Sequence, residues 1–119
     1  MNRLIAFGAA SYAGLGVVSL LKPDVVPAVV DITAPTQDAR TELRAVYGGL
    51  PLAFAASLVA APSSGTAIGV ATAGMAAGRI ASSAFEGRPP SPKMAGFIAL
   101  EALVAGALVM GARKTRLAA

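Results

Sequence analysis

Four apolar runs, each long enough to cross a lipid bilayer, constrain the fold of this chain more than any other feature. A transmembrane helix needs about 17–25 predominantly apolar residues. The runs cover residues 4–21, 45–61, 66–85 and 94–112, and segments that contain Gly or Pro separate them, as is typical of helix breakers. We therefore predict an all-α fold, an integral-membrane four-helix bundle, in preference to a soluble helical domain.

The low charge of the chain supports this prediction. Only 13% of its 119 residues are charged and 55% are hydrophobic, whereas an ordinary soluble domain has about 25% charged and roughly 45–50% apolar residues. Too few polar side chains remain to cover a globule of this size. We expect lipid to contact much of the surface, so that the protein is a multi-pass protein of the cell membrane with membrane lipids as its first partners.

The length of the chain is sufficient for one domain. We predict a single transmembrane domain over residues 1–119, in which residues 22–43 form the only sizeable extramembrane loop. The first run follows Arg3 and could be a signal peptide, but it is long and lacks a small-residue cleavage site before Lys22, which favours a retained helix.

Four spans place both termini on one side of the membrane. Four Lys and Arg residues lie on that side and five on the other, so the distribution of positive charge is nearly balanced. The dense basic cluster at residues 113–116 leads us to expect cytoplasmic termini.

The composition excludes several kinds of chemistry. The chain has no Cys and no His, which excludes disulfides, metals or haem held by those residues, and nucleophiles activated by histidine. The net charge is +4, but the basic residues form no continuous face, and only two Tyr and four Phe residues could stack on bases. We expect no nucleic-acid partner, no metal, no cofactor and no enzymatic activity.

Small residues recur at four-residue spacing in the third run. Lipid gives helices no hydrophobic reason to associate, so close backbone approach must hold them together. We predict that the third helix is the central packing helix, and a GxxxG-type seam in a homo-oligomer is the alternative. The glycines predicted to pack are Gly69, Gly74 and Gly78 in this run, with Gly48 and Gly49 in the second.

Two charged residues, Arg79 and Glu101, lie within the third and fourth runs. Each is about 9–10 Å inside its run at 1.5 Å per residue, counted from the ends that residues 86–93 connect. Both therefore lie beneath the same membrane face. A charge near mid-membrane costs at least ~2.5–3.5 kcal/mol on insertion scales, so we predict that the two side chains face each other inside the bundle.

Charges also precede the second run. Helical spacing places Arg44 and Tyr47 on one stripe, on the membrane face that Arg79 and Glu101 share. We predict one polar cluster at this face, and its candidate members are Glu42, Arg44, Tyr47, Arg79 and Glu101.

These segments together resemble a known family. "RTELRAVYGG" at 40–49, "AGRIAS" at 77–82, "GRPPS" at 87–91 and the late helical Glu101 are similar to the small four-helix bacterial membrane proteins of the domain-of-unknown-function 4345 family. The similarity spans most of the chain and is most specific at residues 42–49. It implies a four-span bundle and a bacterial source, but no activity.

The polar cluster leaves several functions open. It could fix helix register, bind an anionic or polar headgroup through Arg44 and Arg79, conduct protons through Glu101, or support acid–base chemistry. A proton path would need a second mid-membrane acid, and catalysis would need a nucleophile or metal set. We expect a non-enzymatic accessory or interaction subunit of a membrane complex. The alternative is a binding protein for a lipid-like or quinone-like small molecule at this cluster.

Overall fold

The computed structural model describes all residues from Met1 to Ala119 and contains helices but no strand. A π-helical turn, Arg44–Gly49, joins the helix Gln37–Leu43 to the helix Leu50–Ala60, so the chain is continuously helical from Gln37 to Ala60. A 3-10 turn, Pro62–Ser64, precedes the helix Gly65–Glu86. The helices are α1 (Arg3–Leu21), α2 (Val25–Val29), α3 (Gln37–Leu43), α4 (Leu50–Ala60), α5 (Gly65–Glu86) and α6 (Pro92–Ala118).

Three helical segments are long and apolar enough to cross a membrane: α1, the continuous segment Gln37–Ala60, and α6. This is consistent with a membrane protein. Helix α5 has 22 residues, which is long enough, but its Gly, Ser and Thr residues and Arg79 make it less apolar than the other three. The four predicted runs are therefore all helical, and three of them meet the requirements for a span.

Side chains at the helix ends explain where the long helices begin and stop. Asn2 and Ser91 cap α1 and α6 by accepting hydrogen bonds from backbone N–H groups three residues later, at 3.0 and 3.2 Å, and Pro92 occupies the first turn of α6, where its missing N–H has no cost. Gly87 ends α5 with φ of +67°, a left-handed conformation that glycine adopts without strain. These ends fix the short connection between α5 and α6.

Helices α1 and α6 form the middle of the molecule. Helix α1 packs against α4, the π turn and α6, whereas α5 packs mainly against α6. The molecule is flattened, with extents of 48 × 34 × 17 Å. Burial is concentrated where α1 and α6 meet their neighbours, at Ile5, Ala9, Tyr12, Ala55, Leu58, Ile68, Val104, Leu108 and Ala112.

The position of α5 differs from the prediction of a central packing helix. Gly69 does lie against α6, since a Cβ added there would be 2.8 Å from Val109 Cγ2 and 3.0 Å from the carbonyl oxygen of Ala105. Gly74 and Gly78, however, have no neighbouring atom within 4 Å of an added Cβ. Five residues along an α-helix rotate the side-chain direction by about 140°, so Gly74 faces away from the surface that Gly69 presents.

Glycines also allow α1 to approach the π turn closely. A Cβ added at Gly16 would lie 2.8 Å from the carbonyl oxygen of Gly48, and one added at Gly48 would lie 2.8 Å from the Leu20 side chain. Gly48 therefore occupies a packing position, as the sequence predicted. Gly49 does not, because its only near atom belongs to its own helical segment.

Candidate ligand cavity between the helices

An apolar cavity of about 290 Å³ lies between α1, α4, α5 and α6. Eleven of its sixteen lining residues are hydrophobic. Binding sites for small molecules typically have volumes of about 300–1,000 Å³, apolar walls and a few convergent polar groups, so the volume of this cavity lies just below that range. Polar groups in the lining belong to Ser11, Thr72, Arg79 and Glu101, and to the hydroxyls of Tyr12 and Tyr47, whose rings are counted among the eleven hydrophobic residues.

Arg79 and Glu101 form a salt bridge at the edge of this cavity. Arg79 Nε donates to Glu101 Oε1 at 2.6 Å, and the two side chains are 29% and 12% exposed. Arg79 Nη1 also donates to Met94 Sδ at 3.4 Å, and its guanidinium carbon lies 5.6 Å from the centre of the Phe97 ring. The pair that the sequence predicted is therefore present, and Arg79 is held from several sides.

The second carboxylate oxygen of Glu101 has no hydrogen-bond partner although it is buried. Three other buried side-chain oxygens share this property, those of Ser19, Ser64 and Thr66, but none of these residues lines the cavity. A buried acceptor without a partner is costly. This unused acceptor therefore belongs to a residue that lines the apolar cavity.

Sequence reasoning missed the hydrogen bond between Tyr12 and Thr72, which joins α1 to α5 at the cavity wall. Thr72 Oγ1 also donates to the carbonyl oxygen of Ile68 at 2.8 Å. The Tyr12 ring packs edge-on against Phe54, with 5.2 Å between ring centres. A signal was available, because a buried tyrosine hydroxyl needs a partner and Tyr12 lies in the middle of the first apolar run.

The π turn determines where Tyr47 lies. The N–H of Leu50 bonds to the carbonyl oxygen of Ala45, five residues back. The next residue, Pro51, has no N–H, and its ring would clash with the carbonyl four residues earlier in a regular α-helix. A local π turn accommodates this proline, and Tyr47 then lines the cavity.

The other two members of the predicted cluster lie outside the cavity lining. Arg44 is exposed and its Nε donates to the carbonyl oxygen of Leu20 at 3.0 Å, where the C-terminal end of α1 leaves carbonyl groups unpaired and favours a cation. Glu42 is exposed and forms no salt bridge. The prediction assumed a regular α-helix through residues 44–49, and the π turn changes the directions of these side chains.

A second, more polar cavity of about 660 Å³ lies at the connection between α5 and α6. Its lining includes Ser82, Ser83 and Arg88, and it shares only Met75 and Arg79 with the apolar cavity. Arg79 therefore lies between an apolar space and a polar groove. No group of three or more acidic side chains gathers in a way that could hold a metal ion.

The fold and this site define an all-helical protein, with helices suited to a membrane, that has a partly open apolar cavity with an ion pair at its edge. The family model described as "Domain of unknown function (DUF4345)" matches residues 1–112. The chain belongs to this family. No curated protein and no solved structure matches it.

Proposed function

We propose that this protein is a multi-pass membrane protein that binds a lipid-like small molecule in the cavity between α1, α4, α5 and α6. The observation that carries the proposal is the cavity itself, whose walls are mainly apolar and whose polar edge contains Arg79 and Glu101. Apolar walls accept a hydrocarbon chain or ring, and a few polar groups fix its orientation. The ligand is therefore amphipathic.

The proposed topology has four spans with cytoplasmic termini and places α5 in the membrane. Although α5 is less apolar than the other spans, its charge is paired with Glu101 of α6. Pairing of this kind lowers the cost of a charge within the membrane. The small residues of α5 suit close packing against α6, as the contact of Gly69 with α6 illustrates.

Two leucines of α6 provide a matched test of binding. Leu100 and Leu103 are both largely exposed, at 51% and 66%, but only Leu100 lines the cavity. Leu100→Trp places additional ring atoms at the cavity, whereas Leu103→Trp places them elsewhere on the same helix. The wild type and both variants would be purified in mild detergent, and bound small molecules would be identified by native mass spectrometry.

We expect one amphipathic molecule per protein in the wild type and in Leu103→Trp, and a large loss of that molecule in Leu100→Trp. Wild-type protein that carries no small molecule, even after incubation with membrane lipid extract, would contradict the proposal. Equal retention by both tryptophan variants would show that the molecule binds elsewhere.

A second candidate function is that of an accessory subunit in a membrane complex. It is favoured by the unoccupied surface of α5 at Gly74 and Gly78, since transmembrane helices associate through surfaces of small residues. A stoichiometric protein partner that copurifies with the wild type, and is lost in Gly78→Leu, would support this function. Copurification that is unchanged in Gly78→Leu would exclude this surface.

A further inference from the structure

The unpartnered oxygen of Glu101 indicates what kind of polar group the ligand carries. Glu101 Oε1 is already bonded to Arg79, whereas Oε2 is buried without a partner. A carboxylate oxygen accepts hydrogen bonds and donates none. A group that satisfies Oε2 must therefore supply an N–H or O–H.

The charge of the site argues against an ionic ligand. Arg79 and Glu101 together are neutral, and Arg44, the other arginine considered for an anionic headgroup, is directed to the carbonyl oxygen of Leu20. An anion would lie beside the carboxylate of Glu101, and a cation beside the guanidinium of Arg79. Either would bring an uncompensated charge into an apolar space, which is expensive.

The hydrogen bonds of Tyr12 also indicate that the ligand donates a hydrogen bond. Thr72 has one hydroxyl hydrogen and gives it to the carbonyl oxygen of Ile68, so Tyr12 must be the donor in its bond with Thr72. The oxygen of Tyr12 then retains only the ability to accept. Two residues of the cavity lining, Tyr12 and Glu101, thus offer acceptors.

We propose that the ligand carries an uncharged hydroxyl at its polar end and donates it to Glu101 Oε2. This inference rests on the proposed function, because it assumes that the cavity is occupied. The hydroxyl could belong to a long-chain alcohol or to a quinol, which share this chemistry. Their oxidised or capped counterparts, a quinone or an ether, accept hydrogen bonds but cannot donate them.

Competition for the cavity tests the inference. A long-chain alcohol that carries a photoreactive diazirine would be cross-linked to the wild-type protein in detergent micelles, and the labelled peptides of α1, α4 and α6 would be quantified. Unlabelled competitors of one chain length would be the alcohol, its methyl ether, the carboxylate and the amine. An alkyl hydroquinone and its quinone form a second matched pair.

We expect the alcohol to compete about tenfold better than its ether, because the ether leaves the buried acceptor unsatisfied. The carboxylate and the amine should both compete less well than the alcohol. A hydroquinone that outcompetes both its quinone and the alcohol would identify the source as a quinol, and a preference for the alcohol would identify a long-chain alcohol.

An ether, carboxylate or amine that competes as well as the alcohol would overturn the inference while leaving the cavity as a binding site. If the tracer labels no cavity peptide and no other compound binds, the proposed function fails and the inference fails with it. The two failures are therefore distinguishable.

Glu101→Gln provides a second readout. Its amide oxygen should face Arg79, which only donates, so that its NH₂ group takes the position of Oε2. We expect the preference for the alcohol over the ether to be lost, because both an alcohol oxygen and an ether oxygen can accept a hydrogen bond from that NH₂ group. Glu86→Gln is the control, because Glu86 is exposed and does not line this cavity. An unchanged preference for the alcohol in folded Glu101→Gln would overturn the inference. If that variant does not fold, the competition measurements on the wild-type protein decide the inference alone.

Discussion

Arg79 Nε donates to Glu101 Oε1 at 2.6 Å and joins α5 to α6 across twenty-two residues of chain. The two side chains are not equally protected, since Arg79 retains 29% exposure and Glu101 only 12%. Loss of Arg79 would therefore leave a well-buried carboxylate without a counter-charge, whereas loss of Glu101 would leave a cation that can still reach the polar groove. The two single substitutions should differ in cost.

For Arg79→Met we expect a loss of about 3 kcal/mol in the free energy of unfolding, at the lower end of the roughly 3–5 kcal/mol for breaking a buried pair. Glu101→Gln should cost less. The double variant should be more stable than the sum of the single losses predicts, because neither charge is then unpaired. Unfolding in detergent measures the double-mutant cycle, and strictly additive losses would mean that the pair contributes no coupling.

The two faces of α5 should respond differently to added bulk. Gly69→Leu should destabilise the protein by about 1–3 kcal/mol or more, because the new side chain overlaps α6. Gly74→Leu is the matched control and should leave stability nearly unchanged, since nothing lies within 4 Å of its added Cβ. Thermal unfolding of the two variants in one detergent measures the difference. Equal destabilisation by both substitutions would mean that Gly74 also lies at a packed surface, either within the protein or between two copies of the chain.

Arg44 should matter for stability but not for binding. Arg44→Gln removes the hydrogen bond to the carbonyl oxygen of Leu20, and because this bond is exposed we expect a loss of about 1 kcal/mol or less. Photolabelling of the cavity should be unchanged. A variant of normal stability that no longer binds the tracer would place Arg44 in the site after all, as the sequence alone predicted.

Cysteine labelling would test whether α5 crosses the membrane. The chain has no cysteine, so single cysteines can replace the exposed residues Asp31, Ser63, Pro90 and Ala119. With four spans, an impermeant reagent applied to one side should label positions 63 and 119 together, and positions 31 and 90 from the opposite side. Position 90 is decisive, because its cysteine would be labelled from the same side as the cysteine at position 63 if α5 does not cross the membrane.

The sequence was sufficient to predict the helical class and the ion pair, since both depend on simple counts. Apolar runs of sufficient length predict helices, and equal depth in two runs connected by a short loop predicts that Arg79 and Glu101 meet. The structure has helices over these runs and a salt bridge between Arg79 and Glu101. Predictions based on length and depth tolerate errors of one or two residues.

The rest of the site depends on direction around a helix, which such errors change. One added residue rotates a side chain by about 100°, and the π turn before Pro51 adds such a residue. Arg44 and Glu42 therefore lie outside the cluster that a regular helix predicts. The same sensitivity to direction explains why the prediction that Gly74 and Gly78 pack against a neighbouring helix is wrong. Both lie on α5, but not on the face that contacts α6. Tyr12 was missed because its partner, Thr72, lies sixty residues away, and a lone hydroxyl in an apolar run does not show which helix it meets.

The π turn also sets the angular phase between the two halves of one long helix. Residues 37–43 and residues 50–60 are both α-helical, so the single extra residue between them acts as a fixed rotational offset. Deleting one residue within Arg44–Gly49, together with Pro51→Ala to remove the proline clash, would restore a regular α-helix and rotate α3 by about 100° relative to α4. The hydrophobic content and the length of the span would hardly change, yet Arg44 would leave the end of α1. In this segment the number of residues therefore carries structural information that composition does not.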